Sequence, residues 1–147
     1  MADKKIIENI KSIKKFLEFW TKFHEIYVNA VSSSKKTEED QYASRTMEDN
    51  FISTRSLVNS RFQDLMDLLS VNHADRMTKA LCIYEVLSVE SLSEMSDEKI
   101  EKIEDFWTDS FVFLSSLLIR FQTRKKRLEK FNRISLAIRG IVKKVRR

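Results

Sequence analysis

Apolar residues recur along this chain at spacings of three and four, which is the pattern of one face of an α-helix. The first stretch, from about Asp3 to Val31, keeps these spacings without a break, so its apolar positions form a heptad seam. His24 is the polar member of that seam. The seam consists of Ile6, Ile10, Ile13, Leu17, Trp20, His24, Tyr27 and Val31. We therefore predict that the chain begins with a long amphipathic helix.

Three more stretches follow with the same periodicity, and we predict helices over residues 37–70, 74–90 and from 97 almost to the end. Each starts close to a residue type that favours the N-cap of a helix. These predicted caps are Thr37, Asn72 and Ser96. The predicted inward positions are Met47, Phe51, Val58, Phe62, Leu65 and Leu69 in the second helix, and Met77, Leu81, Tyr84 and Leu87 in the third.

The fourth predicted helix is much longer than the others, and its apolar positions keep one heptad phase throughout. They are Ile100, Ile103, Trp107, Leu114, Leu117, Phe121, Leu128, Phe131, Ile138, Val142 and Val145. At 1.5 Å per residue, a helix of ~48 residues spans ~70 Å, against ~45 Å for the first helix. The fourth helix would then project several turns beyond a bundle. The alternative is that it breaks near Arg124 and folds back onto the bundle.

The composition agrees with long helices. The chain has 147 residues, no proline and a single glycine, Gly140. Folds with many turns rely on both residue types, so their scarcity indicates few connections. We predict an all-α, antiparallel four-helix bundle with a long, basic C-terminal helix. Residues 1–123 would form the bundle, and residues 124–147, here called the basic extension, would prolong the fourth helix within the same domain.

The first half of the fourth helix is apolar on nearly every side between residues 106 and 119. A helix of this kind is either central in a bundle or part of an interface. The predicted structural spine consists of Trp20, Trp107, Leu114, Leu117 and Phe121.

Charge is distributed unevenly along the chain. Residues 120–147 contain twelve Lys or Arg and one acid, Glu129, which gives this segment a charge of +11. The preceding 119 residues contain 15 basic and 21 acidic side chains, which gives −6. The predicted docking surface is formed by Arg124, Lys125, Lys126, Arg127, Lys130, Arg133, Arg139, Lys143 and Lys144. The apolar residues of the docking helix, here called the extension stripe, are Phe121, Leu128, Phe131, Ile138 and Val142.

A basic amphipathic helix of this kind usually docks on another surface, and several interpretations stay open. A protein partner or self-association uses both the bases and the extension stripe, and we favour it. An anionic membrane or lipid-like granule surface also uses both, with Ile134, Leu136 and Ile141 entering the interface beside the stripe. A nucleic-acid backbone needs the bases alone. The remaining interpretation is a solvated basic face whose apolar residues pack on the chain itself.

The sequence offers little for catalysis. A metal site needs converging ligands at suitable spacings, which neither His24 nor His73 has. Cys82 lies in an apolar helical stretch and is predicted to be a buried, inert thiol. We therefore expect a non-enzymatic adaptor or scaffold without cofactor, metal or small-molecule substrate. The first twenty residues contain lysines throughout and no apolar run, so we expect a cytoplasmic protein, with membrane or granule association as the alternative.

Overall fold

The computed structural model describes residues 2–34, 41–69, 80–92 and 94–145, and this part of the chain contains four α-helices and no strand. The helices are α1 (Ala2–Ser34), α2 (Gln41–Leu68), α3 (Leu81–Leu87) and α4 (Asp97–Val145). α1 packs against α2 and α4, and the short α3 packs against α4 and, less extensively, against α2. The all-helical fold class predicted from the sequence is confirmed.

The ends of α1 and α4 lie close to their predicted positions. α1 ends at Ser34, three residues beyond the predicted Val31, and α4 begins at Asp97 as predicted. The Ser96 hydroxyl accepts a hydrogen bond from the Lys99 backbone N–H at 3.2 Å. Ser96 therefore caps α4 in the predicted way, by satisfying a backbone donor of the first turn.

The prediction for α3 is wrong in length. Ala80 is not helical, and the helix ends at Leu87, three residues before the predicted end at Glu90. The chain leaves the helix here because Val89 and Leu92 turn into the core, where both are buried. The predictions that lie outside the described residues concern Thr37, Ser70, Asn72, His73 and residues 74–79.

Two side chains of α2 hold the connection between α3 and α4. Glu48 Oε1 accepts hydrogen bonds from the Leu92 backbone N–H at 2.9 Å and from the Ser91 hydroxyl at 3.0 Å. Further along α2, the Arg55 guanidinium donates a hydrogen bond to the Val89 carbonyl. These bonds satisfy backbone groups of an irregular segment that has no helical partners for them.

The core is an aromatic cluster shared by α1, α2 and α4. Trp20 of α1 and Trp107 of α4 are fully buried, with ring centroids 4.6 Å apart. Phe23 of α1 lies between the other two helices, 5.0 Å from Phe51 of α2 and 5.3 Å from Trp107. Burying a large apolar side chain stabilises a fold by about 1.5–3 kcal/mol. The cluster therefore fixes the first half of α4 against α1.

The buried face of α1 is wider than the predicted seam. Phe16 and Phe23 are buried although they lie outside the seam, whereas its members His24 and Val31 are only half-buried. The reason is that α1 contacts two helices, and a helix between two neighbours buries more than one narrow stripe.

Two predicted inward positions are wrong, because Met47 and Leu81 are exposed. At the start of α2, Glu48 faces the connection to α4 and Met47 turns away from it. In α3, Ile83 and Val86 are buried. Because these residues face the core, Leu81 faces the solvent.

α4 is one uninterrupted helix of 49 residues. At 1.5 Å per residue it is ~74 Å long. The alternative of a break near Arg124 is therefore wrong. The last fully buried side chain of α4 is Leu114, and beyond Leu128 its described side chains are exposed, apart from the half-buried Ser135. Beyond Leu128, the described part of α4 therefore projects from the other helices.

Candidate interaction surface

Three residues of the extension stripe are exposed on the projecting part of α4. Phe131, Ile138 and Val142 are 67%, 55% and 44% exposed. Phe121 and Leu128 are half-buried where α4 leaves the bundle. The extension stripe therefore begins at the core and continues along an uncovered helix.

The predicted docking bases surround the stripe without converging on one point. Eight of the nine are exposed, and Lys125 is half-buried. Lys125 Nζ lies 3.9 Å from Glu129 Oε1, one helical turn away. At about 100° per residue, Arg124 and Arg127 lie on the stripe's own side of the helix. The bases on one flank of the stripe are Lys125, Arg139 and Lys143, and those towards the opposite face of the helix are Lys126, Lys130, Arg133 and Lys144. The surface is thus an elongated, basic helix with an apolar edge.

Besides Leu136, the predicted stripe leaves out four exposed aliphatic residues of α4. Ile134 and Ile141 lie beside the stripe and are 50% and 61% exposed. Val112 and Ile119 belong to the part of α4 that packs on the bundle, yet each is 61% exposed. A heptad repeat assumes 3.5 residues per turn. A straight helix has 3.6 residues per turn, and with that period these four residues fall on one side of α4. The membrane interpretation of the sequence already included Ile134 and Ile141 but missed Val112 and Ile119, and the period of a straight helix is the signal that could have found these two.

The predicted spine is partly confirmed. Trp20, Trp107 and Leu114 are fully buried, whereas Leu117 and Phe121 are half-buried. The first half of α4 therefore packs against the core on one side and is exposed to solvent on the other.

His24 lies at the contact between α1 and α4. Its Nε2 is 3.4 Å from Glu104 Oε2, and its ring meets the Trp107 ring edge to face with centroids 4.8 Å apart. The structure therefore places His24 at a helix contact, with a carboxylate and an aromatic ring as neighbours. Among the described residues, no group of three or more His, Cys, Asp or Glu side chains is arranged to hold a metal ion.

Burial changes the acidity of two side chains near the core. It raises the pKa of Tyr27 well above the usual tyrosine range, and the Glu104 carboxylate raises it further. Burial also raises the pKa of the Cys82 thiol, which outweighs the opposing hydrogen bond with Ser110. Cys82 therefore stays protonated at neutral pH, as expected of an inert thiol, although it is half-buried and not buried as predicted.

A groove of about 220 Å³ lies between α1 and α2. Phe16, Phe19 and Leu65 contribute to its apolar lining. The Arg61 guanidinium covers the Phe19 ring, with its carbon 4.5 Å from the ring centroid. The groove is smaller than the ~300–1,000 Å³ of typical ligand pockets. Its size suits a side chain better than a cofactor.

No family model, no curated protein and no solved structure matches this chain. Within the described ranges, none of the helices has the length and apolar character needed to cross a membrane. The fold and the surface together define an all-helical protein with a projecting, basic, amphipathic helix.

Proposed function

We propose that this chain is a non-enzymatic assembly protein, an adaptor or scaffold, whose basic extension docks on a helical protein partner or on another copy of the chain. One observation carries the proposal. The exposed Phe131, Ile138 and Val142 continue the heptad pattern of the buried Trp107 and Leu114 on a single helix. A heptad pattern is what one helix needs to pack along another. The basic extension thus has the surface of a packed helix outside the bundle.

The chemistry of the partner follows from the same surface. Covering an exposed Phe, Ile or Val contributes about 1.5–3 kcal/mol for each side chain. The flanking bases speed the encounter and select a partner of opposite charge. An acidic, amphipathic helical surface is therefore the partner that uses every part of the basic extension.

The bundle that carries the extension is proposed to be antiparallel, with residues 1–123 as the bundle and residues 124–147 as its extension. Two ring contacts support this arrangement. Phe16 lies 5.7 Å from Phe62, and Phe23 lies 5.0 Å from Phe51. The residue numbers in α2 fall as those in α1 rise, which is the order expected for antiparallel helices.

A second candidate is docking on an anionic membrane or a lipid-like granule surface. It is favoured by the width of the apolar face, because Ile134 and Ile141 extend the stripe and bases flank it. A nucleic-acid backbone would use the bases alone and would give the exposed Phe131 no role. A cytoplasmic location is part of the proposal in each of these cases.

The test compares the full-length chain with a variant that carries both Phe131→Asp and Ile138→Asp. The matched control is Leu136→Asp, because Leu136 is 65% exposed in the same segment. The prediction that Leu136 lies beside the stripe is wrong, since on a straight helix it is about 120° or more from Phe131, Ile138 and Val142 around the axis. Each immobilised protein is offered an extract of the source cell and, separately, neutral vesicles, anionic vesicles and heparin. We expect a protein partner, or the chain itself, to be retained by the wild type and the control and lost by the double variant.

Circular dichroism first shows that all three proteins are equally helical. If the double variant retains the same proteins as the wild type, the proposal is wrong. Binding to anionic vesicles alone, lost only in the double variant, would put the membrane in first place. Binding to a polyanion such as heparin that both variants keep, without a protein partner, would indicate nucleic acid.

A further inference from the structure

Three arginines and a threonine line one hollow on α4, close to the point where the helix leaves the bundle. This hollow, here called the arginine site, is formed by Arg120, Thr123, Arg124 and Arg127. A helix turns by about 100° per residue, so the three arginines fall within about 60° of one another around the axis. Residues three and four apart are neighbours on a helix surface, and Arg124 therefore adjoins both of the other arginines.

No acid neutralises the arginine site. All three arginines are exposed, and none has an ion pair or a hydrogen bond within the part of the chain that the structure describes. Glu129, the one acid of the last 28 residues, lies on the opposite side of the helix. Its Oε1 is 3.9 Å from Lys125 Nζ. Like charges one turn apart repel and destabilise a helix, so an anion bound between the arginines would relieve this repulsion.

Thr123 adds a hydroxyl group to the site. The hydroxyls of Thr108 and Ser116, on the same helix, donate hydrogen bonds to the backbone carbonyl four residues earlier, at 3.2 and 2.7 Å. Thr123 is exposed, and its hydroxyl makes no such bond among the described residues. It is therefore free to donate a hydrogen bond to an oxygen of a bound anion.

We propose that the arginine site binds a phosphomonoester, namely a phosphoserine or phosphothreonine side chain of the protein that docks on the basic extension. A guanidinium group binds phosphate oxygens through paired N–H donors. A phosphomonoester has three such oxygens and a charge of about −1.5 to −2 at neutral pH, so it suits a cluster of arginines better than a carboxylate with its single charge. The inference rests on the proposed function and adds the chemistry by which the partner is recognised.

The position of the arginine site on α4 favours a protein segment over a lipid surface. The exposed Phe131, Ile138 and Val142 of the extension stripe fall within the same 60°, roughly, of the helix circumference as the three arginines. One side of α4 thus carries arginines up to residue 127 and exposed apolar residues from 131 onward. A helix that lies in a membrane interface keeps its bases on the side away from the lipid interior. A protein segment along α4 can instead present a phosphate first and apolar side chains after it.

The first test titrates the full-length chain with N-acetyl-phosphoserine amide and follows the arginine Nε–H signals by NMR spectroscopy. We expect saturable shifts of the signals of the three arginines of the site. Arg124→Gln is expected to weaken binding by more than about tenfold, because it removes charge-assisted hydrogen bonds to the anion.

Arg133→Gln is the matched control for this titration. Arg133 is exposed and lies about 120° or more from the three arginines of the site, yet its loss changes the net charge by the same amount. We expect this control to bind phosphoserine within about twofold of the wild type, since screening weakens the effect of a distant charge. Dimethyl phosphate, a singly charged diester like each unit of a nucleic-acid backbone, is expected to bind more weakly than phosphoserine.

The second test examines the protein partner. An extract of the source cell is offered to the immobilised full-length chain before and after treatment with a phosphatase. We expect the protein that is retained through the extension stripe to be lost after phosphatase treatment and with Arg124→Gln, and to be kept with Arg133→Gln. Vesicles that contain a phosphorylated inositol lipid are offered separately.

The inference is overturned if phosphoserine causes no saturable shift, or if it binds Arg124→Gln as tightly as the wild type. Equal binding of dimethyl phosphate would overturn it in favour of a nucleic-acid backbone. Binding of the phosphorylated lipid without any retained protein would place the phosphate on a membrane, and both the inference and the proposed function would then be wrong. A partner that the extension stripe retains with or without phosphatase treatment overturns the inference and leaves the proposed function standing.

Discussion

Trp107 is the residue that connects α4 most tightly to the rest of the molecule. Its side chain is fully buried, and its ring lies within 5.6 Å, centroid to centroid, of Trp20, Phe23, His24 and Tyr27. All four neighbours belong to α1. Rings packed this closely cannot move into the space that a smaller side chain would leave.

Trp107→Ala is therefore expected to lower the free energy of unfolding by about 3–5 kcal/mol. Urea denaturation followed by circular dichroism measures this change. The control is Phe131→Ala, because Phe131 is exposed and its loss is expected to change stability by less than about 0.5 kcal/mol. Similar losses in both variants would contradict the burial of Trp107.

Tyr27→Phe is expected to leave stability at neutral pH unchanged or to raise it by about 1 kcal/mol. The Tyr27 hydroxyl is buried without a hydrogen-bond partner, and such a group costs stability. The pKa of Tyr27 is raised by burial, so above about pH 10 the unfolded chain ionises this tyrosine while the folded chain does not. The wild type therefore loses stability as the pH rises, and Tyr27→Phe lacks this part of the loss.

Urea denaturation at neutral and alkaline pH measures both effects of Tyr27→Phe. Tyr84→Phe supplies the control for the loss of a tyrosine hydroxyl from a half-buried position. If the wild type and Tyr27→Phe lose the same free energy of unfolding between neutral and alkaline pH, Tyr27 does not contribute to that loss.

At the scale of the elements, the connection between α3 and α4 depends on α2. Glu48 and Arg55 bind backbone groups of Leu92 and Val89, which lie far from them in the sequence. The burial of Val89 and Leu92 then links the connection to the core. α2 therefore holds the connection in place and so helps to fix where α4 begins.

Glu48→Ala is expected to weaken the attachment of this connection to α2. The change removes the acceptor for the Leu92 N–H and the Ser91 hydroxyl, which is expected to cost about 1–3 kcal/mol. Hydrogen exchange of the Leu92 amide should become faster relative to amides in the middle of α1. The neighbouring exposed Asp49 gives the control, Asp49→Ala, and equal exchange in both variants would contradict the role of Glu48.

The sequence predicts elements well where one local period runs without interruption. α1 and α4 keep their apolar spacing over many turns without proline, so both helices were found nearly to their ends. The end of α3 was not predictable in this way, because it depends on Glu48 and Arg55 of another helix.

The candidate site shows the same division between local and tertiary information. The bases and the extension stripe follow from spacing alone. The exposure of Val112 and Ile119 depends instead on which side of α4 the bundle covers. Periodicity in one chain does not contain that information, and the packing of α1 and α3 on α4 supplies it.

At the scale of the whole molecule, opposite charges are held far apart. The first 119 residues carry −6, and the last 28 carry +11. The helical part of the basic extension, residues 124–145, is about 33 Å long at 1.5 Å per residue. Screening at physiological salt acts over about 8 Å, so most of the extension is beyond the influence of its own acidic bundle. Its bases therefore stay available to an external partner.

The straight course of α4 also makes it a lever. About 57 Å of helix separates Trp107 from Val145, so a tilt of about 10° at Trp107 moves the tip by roughly 10 Å. Force applied at the tip by a docked partner is thus transmitted to the indole pair formed by Trp20 and Trp107, whose centroids lie 4.6 Å apart. The fluorescence of Trp20 and Trp107 would then report on binding at the tip of α4, without any added label.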